Sequence, residues 1–233
     1  MTTYNKSNPS SIRELFNSIA PRYDLGNAVL SGNLHRLWNR RLVAEVLKNA
    51  PHDILDICCG TGEITKRMGK KRPEANYTLL DFSEEMLAIA QKRLSLAHCS
   101  YFAANAEVLP FKDASFDAVT CAYGIRNIQN REACFKEVFR VLRKGAIIGI
   151  VELTRPNSSF LRTLHAVYLQ TMVPLVGRAL TSNQDAYTYL CNSIKGFVPA
   201  EQIVNELRDA GFSDVQIKPQ TFGIATLFLA KKT

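Results

Sequence analysis

From Asp53 onward the chain alternates short apolar runs with helical patterns, and this rhythm constrains the fold more than any other feature. Runs at 54–58, 77–80, 100–103, 118–121 and 146–151 have strand length, and helix-spaced apolar residues lie between them at 63–70, 84–97 and 131–142. Ser83, followed by Glu84 and Glu85, suits a helix start. A helix at 200–210, ended by Gly211, and strands at 215–218 and 224–230 complete the series. Alternating β and α units imply an α/β fold, a doubly wound, mostly parallel, seven-stranded sheet with helices on both faces.

The 233 residues suit a single domain, long enough to need no disulfide or metal to fold. Within it, residues 1–50 are expected as an N-terminal helical lid, with helices at 12–20 and 34–48. Residues 51–153 are the cofactor-binding core, 154–198 a helical insertion and 199–233 the closing helix and strands. The insertion is expected as amphipathic helical stretches broken by Pro174 and Gly177. Six scattered cysteines form no C-x-x-C pair, so no metal site is expected. There is no apolar run of about 20 residues to span a membrane. Residues 1–10 are polar without an apolar leader, so the cytoplasm is the expected location. The net charge of +8 is concentrated in 1–50 and 154–198. That placement suits an acidic partner or an anionic membrane surface, and equally a solubilising surface charge. With no Lys/Arg-rich run and no aromatic–basic interleaving, no nucleic-acid partner is expected.

The most informative stretch is Asp56-Ile57-Cys58-Cys59-Gly60-Thr61-Gly62-Glu63, which follows the first strand and opens a helix. Gly60 and Gly62 let the backbone turn sharply and approach a ligand. About twenty residues on, Asp81 ends the second strand, where a carboxylate can accept both protons of a ribose diol. The competing reading of Asp81 is a helix N-terminal cap. A dinucleotide site wants a third glycine, but Thr65 stands there, and Asp56 would repel a pyrophosphate. The same carboxylate suits the ammonium of S-adenosylmethionine, directly or through water. After the third strand, Asn105 is placed to bond an adenine edge and Ala106 to leave room for the ring.

These residues resemble class I, Rossmann-like methyltransferases. Further runs are similar to the UbiE/MenG/COQ5-like family, which C-methylates quinone rings in menaquinone and ubiquinone biosynthesis. They are Ala20-Pro21-Arg22-Tyr23-Asp24 with Asn27, Ser31-Gly32, Leu34-His35-Arg36-Leu37-Trp38 and Tyr123-Gly124-Ile125-Arg126-Asn127. Glu152 with Pro156, Tyr187-x-Tyr189-Leu190-x-x-Ser193-Ile194 and Phe222-Gly223-Ile224-Ala225 extend the likeness from about residue 15 to 230. Two departures stand out. Cys59 replaces a usual Gly, which makes the loop less permissive, and Arg143-Lys144-Gly145-Ala146 replaces a usual Lys-Pro-Gly-Gly turn.

The resemblance implies methyl transfer from S-adenosylmethionine to a ring carbon of a prenylated quinol, most simply demethylmenaquinol. A ubiquinone-precursor benzoquinol, another small molecule or a silent cofactor-binding module are the alternatives. Cofactor contacts are expected from Asp56, Gly60, Thr61, Gly62, Asp81, Phe82, Met86, Asn105, Ala106 and Tyr123. Arg126 would stabilise the phenolate, with a surface ion pair as its competing reading, and Asn127 would orient a quinol oxygen. Tyr23 and Asp24 would close the site from the lid. Proton removal falls to Asp24 or His35, with core packing the competing reading for His35 and Trp38. The apolar tail of such a substrate and the basic flanking segments imply peripheral contact with the inner face of a membrane. The apolar helices near 160–176 suit a homodimer as well as a lid.

Overall fold

The structure, a computed structural model, describes residues 9–156, 158–180 and 184–233; residues 1–8, most of the polar start, lie outside them. Seven strands form one sheet: β1 (Asp53–Ile57), β2 (Asn76–Asp81), β3 (Cys99–Ala103), β4 (Phe116–Ala122), β5 (Leu142–Leu153), β6 (Ser213–Gln220) and β7 (Ala225–Lys231), in the order β3-β2-β1-β4-β5-β7-β6. Pairing is parallel from β3 through β5, and β7 is antiparallel to both β5 and β6. The order reverses at β1, with β2 on one side and β4 on the other. Connections leaving β1 and β4 therefore diverge and open a crevice at their carboxyl ends.

Alternation along β1 feeds two cores. Ile54 packs with α3 (Leu34–Val46), α4 (Glu63–Gly69) and α5 (Glu84–Arg93) through Leu42, Met68 and Ala90. Leu55 and Ile57 pack on the other face with α6 (Arg131–Val141) and α9 (Ala200–Asp209) through Phe135, Val138 and Leu207. A third cluster joins Leu15 of α1 (Pro9–Ile19) to Leu169 of α7 (Ser159–Leu180) and Ile194 of α8 (Gln184–Lys195), over the carboxyl ends of the strands.

All seven strands stand where the apolar runs placed them, and the departures have local causes. The segment Tyr23–Leu30 forms a further helix, α2, which Gly26 and Asn27 disguise by their low helix propensity. The helix expected to reach residue 97 ends at Arg93: Leu94 turns extended and, 8% exposed, packs inward, while Leu96 packs against Gly69. Strand β5 begins at Leu142, where a turn was expected, and the pairing with β4 slips between Phe116 and Ala118 to absorb Gly145 at φ +82°. The insertion is not broken at Pro174 and Gly177. Helix α7 runs 22 residues through both, because Leu169 and Val173 are buried on the third cluster and offset the lost hydrogen bond.

The expected lid also divides. Trp38, Leu42, Val43 and Val46 of α3 are core residues, 0–2% exposed. The helix lies directly on β5, where a Cβ on Gly149 would stand 2.6 Å from Val46 Cγ2 and 2.9 Å from Leu42 Cδ1. Only α1 and α2 are left to act as a cover. Gly149→Ala is expected to push α3 off the sheet and cost about 1–3 kcal/mol of unfolding free energy in urea denaturation. An unchanged midpoint would show that α3 can shift freely.

Candidate active site

The turn after β1 is built on left-handed backbone, with Cys58 at φ +51°, Gly60 at +53° and Gly62 at +76°. A side chain on Gly62 would meet Ala90 of α5 and Leu94 just after it at 3.1 Å, so this position needs glycine for space as well as conformation. Cys59 takes an ordinary backbone conformation, and the strain expected there falls on Cys58 instead. The first correction to the expected site is Asp56. Its carboxylate is 1% exposed beneath the turn and accepts from Thr65 Oγ1 at 2.8 Å and Thr120 Oγ1 at 2.7 Å. Burial pushes its pKa up to about 6 against those two hydroxyls. It ties β1 to α4 and β4 and, turned toward the two threonines, does not line the cavity above.

That cavity, about 390 Å³, lies over the ends of β1, β2 and β4. Gly60, Asp81, Phe82, Met86, Asn105, Ala106 and Tyr123, all expected around the cofactor, line it; so does Asn127, which was expected at a quinol oxygen; Thr61 and Gly62 shape the turn without facing the space. Asp81 is 6% exposed. Its Oδ2 accepts from Gly60 N–H at 2.8 Å and its Oδ1 from Ser83 N–H at 2.9 Å. The Phe82 N–H donates to the carboxylate as well, and of its roughly four acceptor positions this leaves one for a diol hydroxyl. The cap of α5 is Ser83, whose Oγ accepts from Met86 N–H, so Asp81 is not that cap. Asn105 Oδ1 accepts from Glu107 N–H, which fixes the amide at the cavity edge. Carboxylate, apolar walls from Phe82 and Met86, and a small Ala106 together fit a ribose and an adenine.

A second cavity, about 530 Å³ and mostly apolar, lies under α2, α3 and α7. Tyr123 lines both chambers. It holds φ +59°, costly for a bulky side chain, and its hydroxyl donates to Asn39 Oδ1 at 2.8 Å. Arg126 lines the second chamber at 6% exposure and pairs with Glu152 of β5, 0% exposed, at 2.6 Å. The ion pair is thus real but buried, not a surface one. Glu152 Oε2 also accepts Arg126 N–H at 3.0 Å, and Arg126 Nη1 donates to Tyr123 O at 2.5 Å. Burial works against the guanidinium charge, but Glu152 and Tyr23 hold its pKa above the usual arginine range. Its Nη2 has no hydrogen-bond partner among the described residues and is left for a ligand. Asn127 Oδ1 accepts from the Tyr189 hydroxyl of α8 at 3.1 Å.

The cover comes from α1 and α2. Tyr23 lines the first chamber, and burial raises its pKa while nearby Arg126 opposes the shift. Asp24 does not reach either chamber. It accepts from Thr61 Oγ1 at 2.8 Å and pairs with Arg93, so it latches α2 to the glycine turn and α5. The sequence reading missed Phe16, which packs edge-on against Tyr23 and Phe82 at 6.2 Å and lines the first chamber. The i, i+4, i+7 stripe Ile12, Phe16, Ile19 was its available signal. It also missed Asn39, for which a lone polar residue on an apolar helix face gives none. Trp38 packs as core, its Nε1 donating to Thr221 Oγ1 at 2.9 Å.

The sequence profile of the ubiE/COQ5 methyltransferase family matches residues 2–232. The chain belongs to the ubiE/COQ5 methyltransferase family. This family member is 41% identical to a demethylmenaquinone methyltransferase of Protochlamydia amoebophila, covering 100% of this chain and 99% of that protein. It is 38% identical to one from Thermotoga maritima over 92% and 93%. Its fold is shared by a crystallised S-adenosylmethionine-dependent methyltransferase of Thermotoga maritima, with a TM-score of 0.63 at 19% identity over 94% and 99%. The methyltransferase uses S-adenosylmethionine, and the first chamber has the shape and chemistry for it.

Burial raises Asp81 from its ordinary 3.8 to about 6, against N–H donors from Ser83, Gly60 and Phe82. As pH falls through about 6 the carboxylate gains a proton and loses acceptor capacity. Cofactor affinity is therefore expected to fall between about pH 7 and pH 5 in isothermal titration. Asp81→Asn is expected to weaken binding about 10–100-fold at neutral pH, roughly 1.5–3 kcal/mol, and to reduce that slope to the part due to Asp56. Wild-type affinity and slope in Asp81→Asn would remove the diol role.

Proposed function

We propose that this methyltransferase C-methylates the ring of a prenylated quinol, most simply demethylmenaquinol to menaquinol in menaquinone biosynthesis. The observation that carries the reading is the apolar second chamber, which meets the cofactor chamber at Tyr123 and holds Arg126 at its inner end. An apolar space of about 530 Å³ with few polar groups suits a hydroquinone ring on an isoprenoid chain. The names of the two relatives point the same way.

When bound, S-adenosylmethionine supplies an electrophilic methyl group on a sulfonium. The protein's part is to position the ring, keep water out and make the carbon nucleophilic. Arg126 does the last through its free Nη2 protons, which stabilise a quinol oxygen as it loses its proton. Because Glu152 neutralises the guanidinium in advance, the buried charge is tolerable before substrate arrives. Asn127, steadied by Tyr189, orients the second oxygen from the cofactor side, and Tyr23 closes the passage between the chambers.

The first test is transfer of labelled methyl to reduced short-chain demethylmenaquinol and to the matching methoxybenzoquinol. Transfer to the naphthoquinol is expected; transfer to the benzoquinol alone would reassign the ring, and transfer to neither would refute the reading. Arg126→Ala alone would leave Glu152 buried and unpaired at a cost of about 3–5 kcal/mol. The informative variant is Arg126→Met with Glu152→Met, expected to fold and bind cofactor while kcat falls about 100–1000-fold.

The prenyl tail also gives the chain a reason to touch a bilayer. Phe222, 79% exposed, and Leu164, 58% exposed, line the second chamber and also face out, with Val29 and Leu34 beside them along the lining. Helix α3, which brings Leu34, carries exposed Arg36 and Arg40. No helix among the described residues is long and apolar enough to cross a membrane. This surface is proposed to rest on anionic lipid while the tail enters. Phe222→Asp with Leu164→Asp is expected to cut co-sedimentation with anionic vesicles at least tenfold; equal binding would move the contact elsewhere.

A further inference from the structure

Resting on the quinol reading, the structure leaves one chemical task without an owner, the removal of the hydroxyl proton. Asp24, the carboxylate of the lid, is consumed by Thr61 and Arg93. Arg126 carries a raised pKa and stays charged. Two histidines line the second chamber, His35 of α3 and His165 of α7.

The hydrogen bonds around His35 favour one tautomer. Tyr23, Asn27, Ser31 and His35 recur every fourth residue along α2 and into α3. Ser31 Oγ lies 2.6 Å from Asn27 O and 2.7 Å from His35 Nδ1, and 3.4 Å from His35 N. A carbonyl oxygen has no proton to give, so the single Ser31 hydroxyl proton must go to Asn27 O. The two lone pairs of Ser31 Oγ then face His35, and Nδ1 can make its contact only as a donor. The imidazole is therefore the Nδ1–H form, and Nε2 carries the free lone pair. Nε2 has no hydrogen-bond partner among the described residues. Among the described residues His165 has no comparable bond to orient it.

We propose that His35 is the general base of the reaction, with Nε2 taking the quinol hydroxyl proton and Ser31 acting as the positioning residue that fixes its tautomer. The O–H electron pair stays on the oxygen, facing Arg126 Nη2, and is delocalised to the ring carbon; that carbon would form its bond to the methyl as the methyl–sulfur bond breaks, with the bonding pair left on sulfur in S-adenosylhomocysteine. The ring-carbon proton then leaves to water and His35 returns its proton to the oxygen, so one proton is released per turnover. Burial, then the charges of Arg36 and Arg67, hold the imidazole pKa below 6.5 against Glu63 and Asp24, so the base is neutral near pH 7. Arg126 and His165 share its chamber, as do the phenols of Tyr123 and Tyr168.

The test uses the full chain with His35→Gln and Ser31→Ala, saturating cofactor and a reduced short-chain naphthoquinol. Saturation matters because Asp56 and Asp81 both titrate at about 6 and would otherwise shape the acid limb through cofactor binding. The wild type is expected to lose kcat/KM for the quinol as pH falls through the His35 pKa. His35→Gln is expected to lose that limb, to drop kcat about 100–1000-fold with cofactor Kd unmoved, and to regain activity with added imidazole. Independently of turnover, nitrogen-15 NMR is expected to show His35 as the Nδ1–H tautomer in the wild type and as a mixture in Ser31→Ala. Wild-type turnover and limb in His35→Gln, or an Nε2–H tautomer in the unaltered protein, would overturn the assignment. Absence of methyl transfer by the unaltered protein would instead sink the quinol reading while the tautomer stood.

Discussion

Glu152 has no exposed surface, and a carboxylate so placed stays charged only if its oxygens are filled and its charge is balanced. Arg126 meets both needs, through its guanidinium and its own backbone N–H, and the N–H of Leu153 adds a third donor. The consequence is geometric. A residue bonded at both backbone and side chain to one carboxylate has little freedom, and its Nη1 then pins the Tyr123 carbonyl. Tyr123 is thereby held in a left-handed conformation it would not choose, and its ring becomes the wall between two chambers. Without Glu152 the guanidinium would have no fixed place at the end of the second chamber.

The sheet decides where this happens, and the N-terminal helices decide what it encloses. The reversal of strand order at β1 opens a crevice that the sheet cannot close itself. Helix α3 is fastened to β5 by core packing over Gly149, so it forms a rigid side of the second chamber. Helices α1 and α2 are held by apolar packing, with Ile12 and Leu15 buried and α2 under α7, and by polar contacts, Ser83 Oγ to Asn17 Oδ1 at 2.6 Å and the Asp24 latch to Thr61 and Arg93. The polar latches are worth little each, so the buried apolar side chains carry most of what holds the cover down.

The strands and the reversal were legible in the sequence because buried parallel strands read as apolar runs and glycine turns punctuate them. Helix α2 was not legible, since Gly26 and Asn27 conceal a helix formed by packing under α7. Pro174 suggested a break that tertiary burial of Leu169 and Val173 overrode. Residues lining the cofactor chamber followed from loop position relative to the strand ends, a property of topology. The role of Asp24 did not follow, because a charged lid residue serves catalysis or a latch according to whether a distant arginine, here Arg93, reaches it.

Asp56 and Asp81 make the same point more sharply. Both end a strand beside the same turn, both are buried, and burial raises both to about 6. Pattern and pKa alone would assign them one role. Their surroundings separate them: Asp56 is held by side-chain hydroxyls from two neighbouring elements and faces the interior, whereas Asp81 is held by backbone N–H groups and lines the cavity wall. The distinction rests on where each carboxylate faces and on what donates to it, not on the number of donors, which is alike for both. At His35 a count does decide: the single proton of Ser31 separates the two ring nitrogens.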